Sequence, residues 1–566
     1  MPKMRLLHDP DVTFEEYMYY AERSRAQEDA LANQHKKAGI SLRSIFLPST
    51  TNKGPVSGPG ANGPWQAALE LNLSDPGVRA TITDEEWTNA SRALRTASAA
   101  ACFYLITTDI LGPFGVGFAL GTMGWGEGFG FYTLFGIFTG FSGYLLWKVF
   151  MNIDSFEFPA KNYGDLAYRI YGKYFRWLVN FGQGLQLTLS VGAIIMSNGQ
   201  SISQVSKFHL CYSVCCLIWA LVGFLMGQVR TLARFTWLAN WSVFINLLIM
   251  FISMGVVAHS EPNYAAAQAG SSGATLGGSL VTQLADGSYP PITRFSTVPP
   301  SDNGFIGSLI GLMQGVYAYA GAQLFIEFMA ELQRPRDFLK VMWGSQFFIY
   351  AVYMIYGSYI YYFQGQYANQ IAYQGISPYG WQTVCNILAV ISGIIAATLY
   401  GNIGIKVIYN NILIDIFNFP PLTTKKGKIG WAVIVPVFWS VAFILASAIP
   451  DFNGLTSLTA ALFFVQFTYT FPALLSLGFF VQREAMKGEP PFDPATGRLQ
   501  RQDSGLKRLA RGFMGRYWWL CILLTLYTLA SLVVSALGCY SAIMALIAAF
   551  KTPQVTAFVC RSPLEG

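Results

Sequence analysis

Two long apolar segments are interrupted in their middles by glycines and polar residues, and these interruptions hold most of the chemistry the chain offers. The first reads Thr107-Thr108-Asp109-Ile110-Leu111-Gly112-Pro113-Phe114-Gly115-Val116-Gly117. Pro113 has no N–H to donate, and Gly112, Gly115 and Gly117 tolerate unusual dihedrals and the close approach of a ligand. A helix broken there frees N–H groups that can hold a carboxylate and carbonyls that can hold a cation. A structural kink is the competing reading, since Gly and Pro are common in membrane helices. The matching break in the second segment tips the balance. That segment reads Gly315-Val316-Tyr317-Ala318-Tyr319-Ala320-Gly321-Ala322-Gln323, followed by Glu327 and Glu331. Tyr317 and Tyr319 offer ring faces and hydroxyls, while Gly315 and Gly321 loosen the helix around them. Plain packing accounts equally well for either tyrosine taken alone.

Asp109 falls near the middle of its segment, where a carboxylate in lipid costs roughly 2.5 to 3.5 kcal/mol. A substrate ammonium, a proton that comes and goes, or hydrogen bonds from Thr107, Thr108 and another helix would offset that cost; a permanently protonated structural aspartate is the alternative. Glu327, in the inner third of the second segment, suits a proton carrier or an inner gate, and Glu331, beside Arg334 and Arg336, a solvated salt bridge. Gln183, Gln186, Ser190, Ser392 and Thr398 carry less weight, because such side chains often hold membrane helices together. The phosphate-cradling G-x-x-x-x-G-K-[ST] pattern of an ATP-driven pump is missing, as are G-x-S-x-G and H-E-x-x-H. The four histidines, His8, His35, His209 and His259, are scattered, and the eight cysteines make no C-x-x-C pair, so no metal, cofactor or enzymatic activity is expected. Cys539 and Cys560 would pair if that end of the chain faces outward; two free thiols explain the sequence equally well.

The elements that must position these residues follow from composition. With 53% hydrophobic residues, 15% aromatics and 12% charge over 566 residues, the chain is too apolar for a soluble enzyme of its size and belongs in a lipid bilayer. The net charge of +7 is spread between apolar stretches rather than gathered in one domain, which argues against a nucleic-acid partner. A membrane core of about 30 Å demands roughly 20 residues per helical span. Eleven such spans are expected: Ala97 to Gly121, Gly126 to Phe150, Arg176 to Ile202, His209 to Gly227, Phe235 to Ala258, Gly304 to Phe328, Val341 to Phe363, Tyr379 to Tyr400, Gly430 to Ile449, Leu455 to Val481 and Tyr517 to Ala549. A transmembrane barrel would show short alternating strands instead. Residues 1–96 form a polar tail, 97–549 the membrane domain and 550–566 a short C-terminal tail. Within the first tail, Phe14 to Gln34 reads as an amphipathic helix, Gly54 to Pro64 as a flexible linker, and Thr83-Asp84-Glu85-Glu86 as a capping box ahead of Trp87.

Basic residues mark alternate connections: Lys161, Arg169 and Lys173; Arg230 and Arg234; Arg334, Arg336 and Lys340; Lys406, Lys425, Lys426 and Lys428; and the stretch from Arg483 to Arg516. Connections of the other parity hold only Lys207 and Arg294, including the long Gly/Ser/Ala/Pro-rich one from His259 to Asn303. The N-terminus is therefore expected in the cytoplasm and, with eleven spans, the C-terminus outside. The breaks fall in spans one and six, which correspond if spans one to five and six to ten form inverted five-helix halves.

At these residues the chain resembles the amino acid/auxin permease family, and within it the neutral amino acid permeases of filamentous fungi. The resemblance rests on Ala318-Tyr319-Ala320-Gly321, Glu327, Ala330-Glu331 and Arg334-Pro335-Arg336-Asp337-Phe338, which looks like an A-Y-x-G…E…A-E…R-P-x-D-F signature. Ala119, Gly124 and Trp125, Tyr163-Gly164-Asp165-Leu166 and Ile449-Pro450-Asp451-Phe452 add to it, over about residues 97 to 548. It implies an all-α membrane protein of the APC/LeuT-like kind, with ten helices in two inverted repeats, broken helices one and six, and one extra helix. Gly117 stands where many relatives carry Pro, and Ala322 where many carry His, so a His-based coupling does not transfer.

The expectation is a secondary transporter at the plasma membrane that imports neutral amino acids, large apolar and aromatic ones included, with a proton as coupling ion. The substrate carboxylate would meet N–H groups around Gly112, Gly115 and Gly117, and its ammonium the carbonyls near Tyr317, Ala318, Tyr319 and Gly321, helped by Asp109, Thr107 or Thr108. Asp109 and then Glu327 are the proton-site candidates; Thr398 would line a sodium site against span one if Na⁺ is the ion. An amino acid-sensing receptor that signals through its tail without sustained flux is the rival class, and a channel a poorer third, since paired broken helices suit occlusion better than an open pore.

Overall fold

The computed structural model describes residues 10–35, 95, 97–229, 235–269, 278–300, 304–414, 417, 419–420, 422, 424–449, 451–494, 499–551 and 557–565. The expected linker at 54–64, the capping box at 83–87, Arg230, Arg234 and Pro450 lie outside these residues. Among the described residues the chain is helical, with two isolated β-bridges and no strand.

Helix α1 (Phe14–His35) precedes the membrane region, which runs as α2 (Ala99–Ile110), α3 (Val116–Met123), α4 (Trp125–Ile153), the short α5 (Tyr163–Tyr171), α6 (Lys173–Val205), α7 (Tyr212–Met226) and α8 (Phe235–Val257). After a connection holding two short helices come α9 (Gly304–Ala318), α10 (Phe325–Glu331), α11 (Phe338–Gln364), α12 (Tyr379–Val407) and α13 (Lys425–Ala448). The remainder is α14 (Phe452–Thr459), two π turns, α15 (Phe471–Ala485), α16 (Gly505–Phe513) and α17 (Trp518–Ala549). Nine helices among the described residues are long and apolar enough to cross a membrane, counting α2–α3, α9–α10 and α14–α15 as one each. The fourth expected span appears as the shorter apolar helix α7, and the fifth as the 23-residue α8.

Local chemistry sets the ends. Ser98 caps α2 by accepting from Ala101 N–H at 3.2 Å, Asn162 and Asp165 form a reciprocal capping box on α5, and Asp451 caps α14 through Gly454 N–H at 2.9 Å. Gly124 separates α3 from α4 at φ +83°, and a Cβ there would fall 2.2 Å from the Thr297 carbonyl oxygen, so only glycine serves. The connection before α9 thus lies against the start of α4, where Trp125 N–H donates to the Phe295 carbonyl (3.1 Å) and Gly126 N–H to that of Ser296 (2.9 Å).

Cys211, just before α7, is bonded to Cys560 in the C-terminal segment, so Cys560 pairs with Cys211 and Cys539 is free. Neighbouring bonds dock the same segment: Tyr212 N–H to the Cys560 carbonyl and Ser213 Oγ to that of Val559, both at 2.8 Å.

At the opposite end of the bundle α1 lies in a web of charges. Asp154, fully buried at the end of α4, accepts from Arg25 and Arg95 at 2.6 Å each and from Ala160 N–H at 3.0 Å. Both arginines also reach Glu28, and Asp29 pairs with Arg336 at 2.5 Å. Arg336 is thus engaged by Asp29, and the opposite charge acting on Glu331 is Lys406. Tyr17 packs edge-on to Phe158, with the Arg169 guanidinium 4.7 Å from its ring centroid. Burial alone would raise the Asp154 carboxyl, but Arg95 and Arg25 hold it below its ordinary value. Its stabilisation is therefore complete at neutral pH and lost only as pH falls through that depressed value. Asp154→Ala leaves two buried cations to share Glu28 alone, a loss of about 3 to 5 kcal/mol. A clear drop in the melting temperature of the purified protein is expected; an unaltered melt would contradict the clamp.

Candidate functional site

Both broken helices follow one plan: a helix, a few non-helical residues, a single 3-10 turn, then a second helix. Helix α2 ends at Ile110, Leu111 and Gly112 leave the helical region, and Pro113–Gly115 forms the turn that leads into α3. Helix α9 ends at Ala318, and after Tyr319–Gly321 the turn Ala322–Leu324 leads into α10. The breaks cross in contact. A Cβ on Gly321 would stand 2.3 Å from Ile110 Cγ1 and 2.8 Å from Asp109 Oδ2, so this glycine permits the approach.

Side chains from three other helices meet the main-chain groups that the breaks release. The Tyr353 hydroxyl, from α11, accepts from Gly112 N–H (3.2 Å) and lies within donating distance of the Ile110 carbonyl (2.5 Å) and the Ala318 carbonyl (2.8 Å). It has one proton, so it serves one carbonyl at a time or shares the proton poorly between two. The Tyr400 hydroxyl, from α12, donates to the Asp109 carbonyl (2.9 Å), and Asn246 Nδ2, from α8, to that of Leu111 (3.5 Å). Both carboxylate oxygens of Asp109 are buried without a hydrogen-bond partner.

Of the other expected residues, Gly112 and Gly115 stay uncrowded, with no atom nearer than 3.5 Å to a built Cβ. Gly117 does not: its Cβ would strike Ile360 of α11 at 2.6 Å, so it serves helix packing rather than a ligand. Thr107 donates within its own helix to the Phe103 carbonyl (2.7 Å), and Thr108 is buried. Tyr317 leans on Phe464, with ring centroids 5.1 Å apart. Tyr319 is turned away, packed against Tyr132 and Tyr353 with its hydroxyl unpartnered. Among the described residues no hydrogen bond ties Thr398 to the break. Thr398 donates to the Ile394 carbonyl within α12 (2.7 Å) and shares a helix face with Gly401, which meets Trp439 of α13.

A second polar group lies along α10. Glu327 Oε1 accepts from Gln183 Nε2 (2.9 Å), which also reaches the Gln323 carbonyl (3.3 Å), while Glu327 Oε2, Gln183 Oε1 and Gln323 Oε1 are buried without partners. The charges that face Glu327, Asp165 and Glu331, are both acidic. A third group escapes a sequence reading: Gln314 Nε2 stands within 3.0 to 3.2 Å of Asn453 Oδ1, Thr456 Oγ1 and Ser457 Oγ, and Gln370 Nε2 joins it at Thr456. Its only advance signal is an amide, Gln314, one residue before Gly315. Tyr353 and Tyr400 had no signal beyond being tyrosines in spans.

Crossed, broken helices with main-chain dipoles and the Asp109 carboxylate at their junction, inside a bundle of apolar helices, define a multi-pass membrane protein built around a buried polar centre. Residues 95–488 match the model of the transmembrane amino acid transporter protein family, and the chain belongs to that family. A "Transmembrane transporter" of Gibberella moniliformis is 26% identical over 55% of this chain and 61% of its own length; one of Fusarium pseudograminearum is 24% identical over 55% and 60%. The "N amino acid transport system protein" of Neurospora crassa is 23% identical over 56% of this chain and 62% of its own. The matched region thus spans about three fifths of these curated relatives. Among solved structures, the inward-facing conformation of Mhp1 aligns with 81% of this chain and 91% of its own at 10% identity, with a TM-score of 0.43.

Tyr353→Phe strips the Gly112 N–H and one carbonyl of their partner at no change in ring volume, an effect of about 1 to 3 kcal/mol. Gly321→Ala forces the breaks apart at a similar cost. Both are expected to lower the melting temperature and impair ligand-dependent uptake, whereas Gly130→Ala, with nothing within 4 Å of its Cβ, leaves both unchanged. Normal uptake and stability in the first two would remove the crossing from the working site.

Proposed function

We propose that the protein is a secondary active transporter that imports neutral amino acids, large apolar and aromatic ones included, by proton-coupled alternating access. The fold behind this reading is eleven spans, ten of them in two inverted halves. The reading places the protein in the plasma membrane, with residues 1–96 as a cytoplasmic tail and residues 550–566 outside. The observation that carries the reading is the unpartnered carboxylate of Asp109 beside carbonyls shared by a single hydroxyl proton.

In this reading the substrate ammonium takes the acceptor capacity left at Ile110 and Ala318, and its carboxylate the N–H groups of the turn at Gly112 to Gly115. Asp109 carries the proton. No basic side chain among the described residues offsets its charge, so a proton or a cation must neutralise it in lipid. Glu327, with the acidic Asp165 and Glu331 as neighbours, is the second carrier. A sodium route would run through Thr398, whose hydroxyl donates to the Ile394 carbonyl within α12. The orientation draws support from the Cys211–Cys560 bond, since both cysteines fall on the side that the charge rule assigns to the exterior, where disulfides persist.

Purified protein in liposomes is expected to accumulate labelled neutral amino acids when the exterior is made acidic, and to stop when a protonophore is added. Asp109→Asn should abolish accumulation while exchange of amino acid across the membrane persists. Gradient-driven accumulation that survives in Asp109→Asn would dismiss Asp109 as the carrier; saturable binding without any accumulation would favour the receptor.

A further inference from the structure

Helix α16 has its polarity turned inside out. On a helical wheel Leu506, Leu509, Ala510 and Phe513 form one stripe, and Arg508, Arg511 and Gly512 the opposite one. The arginine stripe faces the protein. Gly512 abuts the end of α15, where a Cβ would meet the Val481 carbonyl oxygen at 2.1 Å. Arg508, only 12% exposed, pairs with Glu15 of α1 at 2.9 Å and with Glu489, and Arg511 pairs with Glu489 (2.9 Å) and Asp503 (2.7 Å). Phe513 packs on the bundle, and the rest of the apolar stripe faces outward: Leu506 is 84% exposed, Leu509 49%, and Met514, just past the helix, 79%.

Water is a poor environment for such a face, and its position says what covers it. Five residues beyond Phe513 the chain enters α17 at Trp518 and Trp519, which are 55% and 54% exposed and begin the outward apolar surface continued by Ile522, Leu523 and Leu526. Tryptophans at the start of a span sit at the level of the lipid headgroups, so α16 is held at that same depth. Lys507 and Arg516 flank the stripe, both exposed and without a direct ion pair among the described residues. Charge and apolar surface together match an interfacial helix on an anionic leaflet.

We propose that α16 is seated in the membrane interface on the side of the basic connections, its Leu506–Leu509–Met514 face bedded among lipids and Lys507 and Arg516 paired with phosphates of anionic headgroups. Because Arg508 and Glu489 lock the opposite face to Glu15, this seat also fixes where α1 meets the bundle.

Full-length protein carrying a nitroxide at Leu506→Cys or Leu509→Cys, reconstituted in discs of phosphatidylcholine with phosphatidylserine, tests the seat. Leu529, on the exposed face of α17, provides the lipid reference, and Asp286, in an exposed turn, the water reference. The labels are expected to relax more with oxygen than with a water-soluble nickel complex, as at Leu529. Nickel access equal to that at Asp286 would overturn the seat, as would shielding from both reagents, which marks a protein partner instead. For the headgroup contact, Lys507→Gln and Arg516→Gln should each weaken retention of phosphatidylserine on the purified protein about fivefold. Undiminished retention in the double variant would overturn that part.

Discussion

A main-chain N–H or carbonyl left unpaired in lipid is expensive, and the centre of this protein is organised around where such groups go. Two helices stop short of crossing the bilayer, and at their junction the Asp109, Ile110, Leu111 and Ala318 carbonyls are served by Tyr400, Tyr353 and Asn246 from α12, α11 and α8. Three helices are thus held in register by what the breaks require. The supply is also short: the Tyr353 hydroxyl faces two carbonyls with one proton. A centre satisfied in this way is stable without ligand and still retains acceptor capacity that an N–H donor can claim.

The groups above and below this centre differ in kind. On the side of the 259–303 connection the seal is neutral, with the Gln314 amide spread over Asn453, Thr456 and Ser457. Each such bond is worth about 0.5 to 1.5 kcal/mol net and is readily exchanged for one to water. On the other side the start of α2 is joined to the end of α10 by main-chain bonds, Ala97 N–H to the Glu331 carbonyl (2.9 Å) and Gln333 N–H to that of Ala97 (3.0 Å), and α1 lies nearby over Asp154. Buried ion pairs of that sort lose several kcal/mol when one partner is taken away. Rearrangement at the two ends therefore involves different chemistry, exchange of neutral hydrogen bonds at one and separation of charges at the other.

What the sequence displayed was whatever depends on local chemistry. Pro113 and Gly112 announce a break because no neighbour can restore the missing N–H or the helical dihedrals, and Gly321 announces the second. Apolar run length located individual helices, as with α17, expected from Tyr517 and observed from Trp518. Facing was the hidden quantity. Thr398 and Tyr400 sit two residues apart, about 200° around the helix, and oxygen chemistry favoured Thr398 while the packing of α12 turns Tyr400 to the break. Tyr353 is one of six tyrosines in α11, and only the crossing of two other helices singles it out. Gly117 looked like its neighbours Gly112 and Gly115 until Ile360 filled the space beside it. Cys211 and Cys560 are 349 residues apart, and nothing local links them.

The basic residues that mark the connections have a second use that hydropathy does not disclose. Arg336 holds Asp29, Arg169 stacks on Tyr17 and donates to the Ile153 carbonyl at 2.6 Å, and Arg501 and Arg508 share Glu15, so residues of these basic connections also fasten α1 to the bundle. All of these are arginines. A guanidinium can bind a carboxylate through two parallel N–H groups while its plane lies on an aromatic ring, and it stays charged when partly buried; an ammonium meets these demands less well. Of the lysines of the same connections, Lys425 and Lys426 make no ion pair among the described residues, and Lys487 pairs with Glu484, three residues before it on its own segment, at 2.7 Å, not with α1. Charge sign alone suffices for topology, whereas fastening also needs the geometry of the guanidinium, and the split between the two residue types follows that difference.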